Sequence, residues 1–104
     1  MSDLALIKER LRQFASERDW EKFHTAKNLA MALSGEAGEL VSEFQWLTPE
    51  EGQNLSPEKL KDVEMEIADV AIYLVRLADV LGIDILEAVM EKISINEGRF
   101  KPNS

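Results

Sequence analysis

The segment between Ser56 and Gly82 constrains the fold of this chain more than any other part of the sequence. Its apolar residues recur every three to four positions, which predicts one long α-helix. Ser56-Pro57 gives it an N-cap followed by proline, and Gly82 is a suitable left-handed terminator. Its apolar residues fall on two opposite sides, formed by Val63, Ile67, Val70, Leu74, Leu77 and Leu81 and by Met65, Ala68, Ile72 and Val75. Since a helix that is apolar on two sides is buried on two sides, we expect another subunit to cover one of them.

A narrow polar strip remains along one edge of this helix. At spacings of four, three and four residues, it contains Asp62, Glu66, Asp69 and Tyr73. Like charges at these spacings destabilise a helix modestly, and an ionised carboxylate left unpaired beside a core costs several kcal/mol. The strip therefore indicates a site whose negative charge must be neutralised by another group.

Apolar spacing and capping residues predict three further helices. They run from about Leu4 to Glu17 after a cap at Ser2 or Asp3, from Thr25 to about Trp46, and from Asp84 to about Asn96 or Arg99. Glu87 follows Asp84 at the spacing of a capping box, and Thr48-Pro49-Glu50-Glu51 predicts a capped single turn. No run alternates apolar and polar residues as a strand would. We therefore expect an all-α fold of four helices that forms a single domain over residues 1–104.

The second helix carries an acidic pair that matches the strip. The apolar stripe of this helix is formed by Leu29, Leu33, Leu40 and Phe44. Glu36 falls within that stripe, and Glu39 lies at its margin one turn further on. If the second and third helices pack antiparallel, the pair at 36–39 can meet the pair at 66–69. Spacing alone leaves a solvated acidic face as the alternative, because such pairs are common on exposed helices.

Four converging carboxylates need compensation, and the cations near them in register are Lys27 and Arg76. Hard oxygen ligands at these spacings suit Mg²⁺, or Mn²⁺ in its place. Helical bundles that hold di-iron use Glu-x-x-His pairs, whereas the single histidine here, His24, lies in neither acidic pair. The acidic pairs therefore favour magnesium over iron.

The chain has no cysteine, which excludes disulfides and thiolate metal sites. Its net charge of −8 restricts the molecules that it can bind. No cluster of Lys or Arg offsets the negative surface, so we expect no binding to DNA or RNA polymers. No segment is apolar enough to predict a membrane span, and no signal peptide opens the chain, which favours a cytoplasmic protein. A nucleotide remains a suitable partner, because a divalent metal can bridge its phosphates to carboxylates.

Both acidic pairs belong to a set of segments that resembles a known family. The segments are Arg18-Asp19-Trp20, Phe23-His24, Asn28-Leu29, Gly35-Glu36-Ala37-Gly38-Glu39-Leu40, Phe44-Gln45-Trp46 and Glu66-Ile67-Ala68-Asp69-Val70-Ala71-Ile72-Tyr73-Leu74. Together they resemble the MazG-like all-α nucleotide pyrophosphohydrolases and look closest to the short dCTP pyrophosphatase branch. The likeness covers about residues 13–102. It is specific, because both acidic pairs occur in order together with the aromatic elements.

The resemblance implies a four-helix bundle assembled as a dimer of dimers, that is, a homotetramer. It implies Mg²⁺-dependent hydrolysis of a nucleoside triphosphate, with dCTP or a modified dCTP expected, to the monophosphate and pyrophosphate. The acids it assigns to metal binding and catalysis are Glu36, Glu39, Glu66 and Asp69. The base and sugar contacts it implies are Trp20, His24, Trp46, Tyr73 and Asn96, and its phosphate contact is Lys92. Lys27 is a further candidate for phosphate.

Two alternatives stay open. The enzyme could be a dNTP pyrophosphatase of broader specificity that prefers another base, because base preference depends on the shape of a pocket. Alternatively, the chain is a non-enzymatic helical oligomerisation module whose acids are merely solvated. Glu43 is also undecided, since it projects near Glu36 and could either join the site or face another subunit.

Overall fold

Five helices make up the computed structural model, which describes residues 2–103. They are α1 (Asp3–Glu17), α2 (Ala26–Phe44), the single turn α3 (Pro49–Gly52), α4 (Pro57–Val80) and α5 (Ile85–Arg99), with a 3-10 turn at Glu21–Phe23. The predicted third and fourth long helices are α4 and α5. No strand occurs in the described part of the chain, so the all-α prediction is confirmed. Within residues 2–103, each helix is too short or too polar to span a bilayer.

Side-chain caps start all five helices at predicted positions. The capping side chains, each of which accepts a hydrogen bond from an N–H group three residues on, belong to Ser2, Thr25, Thr48, Ser56 and Asp84. Among the described residues, the second hydrogen bond of a capping box forms only at α3, where the Glu51 carboxylate accepts from the N–H of Thr48. The predicted capping box at Asp84 is only half formed. Asp84 accepts from the N–H of Glu87, but among the described residues the Glu87 carboxylate does not accept from the N–H of Asp84, so this part of the prediction is wrong. Glu87 is exposed, so water can solvate its carboxylate instead.

Helices α2 and α4 pack against each other and run antiparallel. Near the end of α2, Glu43 Oε2 lies 2.7 Å from Nζ of Lys59 at the start of α4. Just before α2, His24 meets Arg76 late in α4, with 3.1 Å between Nδ1 and Nε. These two contacts join opposite ends of the helices, so the middle of α2 lies against the middle of α4. Helix α1 also packs on α4, and the buried core consists of Ala15, Leu29, Val63 and Ala78.

The helices α1 and α4 end in the same kind of turn. After α1, Asp19 adopts a left-handed conformation with φ of 55°, and after α4 Gly82 does so with φ of 71°. In each turn a second N–H reaches back over the helix end, from Trp20 to Ala15 and from Ile83 to Ala78. This is the Schellman pattern, for which Gly is preferred and Asp is tolerated. The first of these turns fixes Trp20 beside the end of α1.

The isolated chain exposes far more surface than a folded monomer of its size. Its radius of gyration is 16.8 Å, whereas about 13 Å is expected for this length. Its accessible surface is 8142 Å², whereas roughly 5,900 Å² is expected for its mass. Helix α5 packs sparsely, and both apolar sides of α4 stay partly exposed, with Ile67 at 54% and Met65 at 46%. These faces are available for the subunit contact that the sequence predicts.

Candidate active site

The antiparallel packing of α2 and α4 brings the two acidic pairs together. Glu36 and Glu39 lie one turn apart on α2, and Glu66 and Asp69 have the same spacing on α4. Carboxylate oxygens of Glu36, Glu39 and Glu66 lie within 4.8 Å of one another. Asp69 completes the group, since its charge acts on the pKa of both Glu36 and Glu66. We call these four residues the carboxylate cluster.

Part of the negative charge in the carboxylate cluster is poorly solvated, whereas Glu39 is exposed. The Oε2 atoms of Glu36 and Glu66 are buried and have no hydrogen-bond partner within the described residues. Partial burial, followed by the neighbouring Glu39 carboxyl, raises the pKa of Glu36 above its ordinary value. Partial burial, followed by the charges of Glu39 and Asp69, raises the pKa of Glu66 in the same way. The fold thus holds these acids in a place where ionisation is costly.

Nearby cations do not neutralise the cluster. Lys59 pairs with Glu43 across the α2–α4 contact. The charge of Glu43 also helps to raise the pKa of Glu66, so Glu43 lies near the cluster as well as beside Lys59. Lys27 is exposed and forms no ion pair among the described residues. Arg76 is close in register, but its guanidinium binds His24 and Asp79 instead. The compensation that the sequence requires must therefore come from a group other than these side chains.

A divalent cation fits the donors that the cluster offers. All of them are carboxylate oxygens, the hard ligands that Mg²⁺ and Mn²⁺ prefer. The close spacing of the oxygens of Glu36, Glu39 and Glu66 lets one ion contact several of them at once. The two buried oxygens that lack a hydrogen-bond partner could coordinate the ion, so binding would remove the cost of their isolation.

A cavity of about 660 Å³ opens beside the cluster, and Glu36 and Asp69 line part of it. Its walls are mostly apolar and include, from α1 and α4, Ile7, Leu11, Phe14, Ala68, Ile72 and Val75. Its volume lies in the range of small-molecule sites, which are concave and largely apolar with a few polar groups. Because acids and apolar walls meet in one cavity, a ligand that is apolar at one end and anionic at the other could fill it.

Aromatic side chains line the cavity as well. Trp20, placed by the turn at Asp19, packs edge-on against Phe14 with 5.5 Å between ring centroids. The ring of His24 lies 6.3 Å from that of Trp20, and Tyr73 extends the same wall from α4. Flat rings at these positions suit the binding of a planar ligand group by stacking.

A second polar group, which we call the arginine network, borders the cavity. It begins at Arg12 of α1, which donates two hydrogen bonds to the Asp79 carboxylate, at 2.6 and 2.5 Å. Asp79 Oδ2 also lies 3.5 Å from Nη1 of Arg76, and Nε of Arg76 donates to Nδ1 of His24. The hydrogen bonds and charge of Arg12 hold the pKa of Asp79 below its ordinary value. Partial burial and the Arg76 charge lower the pKa of His24, so the ring is neutral at pH 7.

The match to known proteins agrees with this geometry. Residues 31–102 match the sequence pattern of the family described as MazG-like. The chain belongs to the MazG-like family. It is similar to dCTP pyrophosphatase 1 of Homo sapiens, 47% identical over 90 residues, which are 85% of this chain and 53% of that protein. With the Bos taurus protein of the same name the identity is 44% over 90 residues, at the same coverage.

The MazG-like chain spans about half the length of the curated relatives it matches. A solved structure, that of a pyrophosphatase from Archaeoglobus fulgidus, superposes with a TM-score of 0.92 and 39% sequence identity. That match covers 98% of this chain and 95% of the other. The helical arrangement is therefore a MazG-like fold.

Only part of the predicted substrate site comes together within one MazG-like chain. Trp20, His24 and Tyr73 line the cavity, whereas the other predicted contacts do not. The residues that lie outside it are Lys27, Trp46, Lys92 and Asn96. Trp46 follows the end of α2 and is 86% exposed. Lys92 and Asn96 lie on α5, which packs sparsely against the other helices.

Sequence reasoning missed two features of the site. Phe14 and Arg10 of α1 line the cavity, although the apolar spacing of α1 predicts only a core position for Phe14. The pair of Arg12 and Asp79 joins residues 67 positions apart, and no local pattern links them. The Asp79 side chain is only 8% exposed, so its charge needs a cation, and the tertiary structure alone shows which cation that is.

Proposed function

We propose that this protein hydrolyses a nucleoside triphosphate between the α and β phosphates, which yields the monophosphate and pyrophosphate. The observation that carries the proposal is the carboxylate cluster, with buried oxygens of Glu36 and Glu66 that lack a partner, at the edge of an aromatic cavity. A nucleotide has the matching form, with a flat base at one end and phosphates at the other. The similarity to proteins named as pyrophosphatases supports the same activity.

In this proposal the carboxylate cluster would hold Mg²⁺, with Mn²⁺ able to replace it. When bound, the metal supplies positive charge that neutralises the phosphates and stabilises charge developing on the reacting phosphoryl group. The chain keeps the acids in position on two packed helices, so little reorganisation is needed when substrate arrives. One carboxylate of α2, Glu36 or Glu39, accepts the proton of the attacking water.

The aromatic wall would bind the base. Stacking of a base on an aromatic ring is worth about 1–3 kcal/mol, and Trp20 is held for this role by the turn at Asp19. His24 and Tyr73 offer polar atoms on the same wall, which can bind the edge of the base or the sugar. Apolar side chains around them exclude water, which strengthens each of these polar contacts.

We propose that the favoured base is cytosine or a modified cytosine, supported by similarity to proteins named dCTP pyrophosphatase 1. A broader dNTP pyrophosphatase that prefers another base is the alternative. The experiment is to incubate the purified protein with each dNTP and Mg²⁺ and to separate the products by chromatography. We expect dCMP and pyrophosphate to form fastest from dCTP, and faster release from another dNTP would favour the alternative.

Variants of the carboxylate cluster test the site itself. Glu39→Ala and Asp69→Ala should nearly abolish product formation, because the first removes one of the closely spaced carboxylate oxygens and the second removes a negative charge beside them. Turnover within a few-fold of wild type would contradict the assignment. If no dNTP yields product and Mg²⁺ with nucleotide gives no thermal shift, the non-enzymatic helical module is favoured instead.

We propose further that the active form is a homotetramer built as a dimer of dimers. The excess surface and the exposed apolar sides of α4 support association with other copies. Trp46, Lys92 and Asn96 are exposed or half-buried outside the cavity of their own chain, so each is free to complete the cavity of a neighbouring copy. Light scattering on the eluting protein should give the mass of four chains, and a monomeric mass would overturn this assembly.

A further inference from the structure

One ring nitrogen of His24 already accepts a hydrogen bond from the protein. Nε of Arg76 lies 3.1 Å from Nδ1 of His24 and donates to it. An arginine guanidinium has only donors and stays charged, so Nδ1 can take part only as an acceptor. The proton of the neutral ring must therefore be on Nε2, because the tautomer is set by the hydrogen bond that the other nitrogen makes.

The guanidinium of Arg76 is itself held in place. Its side chain is 11% exposed, and that of Asp79, which lies 3.5 Å from Nη1, is 8% exposed. Arg12 of α1 anchors Asp79 from the other side through two hydrogen bonds, a geometry that fixes both groups. Arg76 therefore has little freedom to turn away from His24.

We propose that Arg76 is a positioning residue that holds His24 as the Nε2–H tautomer, so that the cavity wall presents a hydrogen-bond donor at this point. The ligand group that meets His24 must then be an acceptor, such as a ring nitrogen with a lone pair or a carbonyl oxygen of a base. This specificity rests on the proposed function, whereas the tautomer itself is a property of the free protein. Nε2 has no hydrogen-bond partner among the described residues, so it is free to donate to a ligand.

The surroundings of the ring agree with a neutral state. Partial burial and the positive charge of Arg76 lower the pKa of His24. The other charged groups on the cavity wall are Arg10, Glu36 and Asp69, and Tyr73 is the remaining titratable one. Neither Glu36 nor Asp69 is among the causes of the shift in the pKa of His24, so these acids do not impose protonation on the ring.

The first test reads the tautomer directly. His24 is the sole histidine of the chain, so a long-range ¹H–¹⁵N correlation spectrum of the uniformly ¹⁵N-labelled protein contains a single imidazole. We expect Nδ1 to resonate as an unprotonated nitrogen and Nε2 as a protonated one at pH 7, without nucleotide. A protonated Nδ1, or an average of the two tautomers, in the wild-type protein overturns the proposal, and no variant is needed to reach that result.

The second test changes the donor. Arg76→Met keeps the aliphatic stem and removes every donor, and it should release the ring to a mixture of tautomers, whereas Arg76→Lys restores a donor and should restore much of the Nε2–H form. Arg10→Met is the matched control, because it removes a positive charge from the same cavity without removing a hydrogen bond to His24. A tautomer that is unchanged in Arg76→Met, or released equally by Arg10→Met, contradicts the role of Arg76.

Kinetics then separates positioning from general structural damage. We expect Arg76→Met to lower kcat/KM for the preferred dNTP about tenfold, the typical effect of one lost hydrogen bond, and to do so through KM. A fall in kcat alone with the Nε2–H tautomer intact would mark a merely structural residue. If wild-type protein hydrolyses no nucleotide, the proposed function fails, and the tautomer is still decided by the spectrum.

Discussion

Helix α4 carries two polar groups built on opposite principles, with Asp69 and Asp79 about 15 Å apart along its axis. In the arginine network, the charges satisfy one another. Asp79 receives two hydrogen bonds from Arg12 and lies close to Nη1 of Arg76, whose Nε donates to His24. This group is complete within one chain, and it ties α1 and the segment before α2 to α4.

The carboxylate cluster has the same kinds of acids but no cation from the chain. Glu36 and Glu66 each leave a buried oxygen without a hydrogen bond, and their pKa values are raised. A fold gains no stability from such a group, so its retention indicates a binding partner from outside the chain. Unsatisfied charge, rather than charge density, therefore distinguishes the carboxylate cluster from the arginine network.

Glu66→Gln should disrupt the carboxylate cluster most strongly, through loss of turnover. The amide cannot replace a carboxylate oxygen as a charged ligand, so product release should fall by about 100-fold or more. The stability of the cation-free protein should stay equal or rise, because a costly charge is removed. Pyrophosphate detection and urea unfolding measure the two effects. Glu64→Gln on the exposed side of α4 is the control and should change neither.

Asp79→Asn should have the reverse outcome for stability. It removes the partner of Arg12 and leaves the largely buried side chain of Arg76 beside an uncharged group, so we expect a loss of about 2–3 kcal/mol in the free energy of unfolding. Urea titration followed by circular dichroism measures it. Asp62→Asn, on the exposed part of the same helix, should change stability by less than about 0.5 kcal/mol. Equal effects in the two variants would show that the network does not support the fold.

The two groups also differ in how far the sequence predicts them. Glu36, Glu39, Glu66 and Asp69 are found from spacing on two helices, because a period of 3.6 residues fixes which side chains share an edge. Helix starts follow from caps in the same local way. Arg12 and Asp79 meet through tertiary packing between α1 and α4, which no spacing within either helix encodes.

The remaining site residues show a further limit. Trp46 and Lys92 match the family pattern, yet one chain leaves both outside the cavity. In the proposed tetramer, their place relative to the cavity would depend on how copies associate, which is a property of surfaces rather than of helix periodicity. The family resemblance predicts a base or sugar contact for Trp46 and a phosphate contact for Lys92, and helix periodicity does not say which chain's cavity would receive them.

Divalent cations should stabilise the folded protein through the carboxylate cluster and not through the arginine network. At ten times its Kd, Mg²⁺ should raise the free energy of unfolding by about 1.4 kcal/mol through linkage, since it binds the folded state. The measurement is the shift of the thermal midpoint with Mg²⁺ or Mn²⁺ in the absence of nucleotide. Glu36→Gln should lose most of the shift, whereas Asp79→Asn should keep it despite its lower midpoint. A shift of equal size in Glu36→Gln would mean that cations bind elsewhere.

The smallest expected effect is an opposite pH dependence of the two groups. The pKa of Glu66 is raised above its ordinary value of 4.5, so its stabilising contribution is fully present below 4.5 and is lost as pH rises through the folded pKa. The pKa of Asp79 is lowered below 3.8, so its contribution is present above 3.8 and is lost as pH falls through the folded pKa.

Differences between matched proteins remove the titration of groups that the variants share, such as His24, and the Glu66→Gln difference also contains the coupling of Glu66 to Glu36. Without divalent cations, the stability of wild type minus that of Glu66→Gln should decrease from pH 4.5 towards pH 7. The stability of wild type minus that of Asp79→Asn should instead decrease as the pH falls below 3.8. Urea midpoints across this range measure both. If the first difference rises with pH, Glu66 is stabilised as an anion by the chain itself, and the contrast between the two groups on α4 is lost.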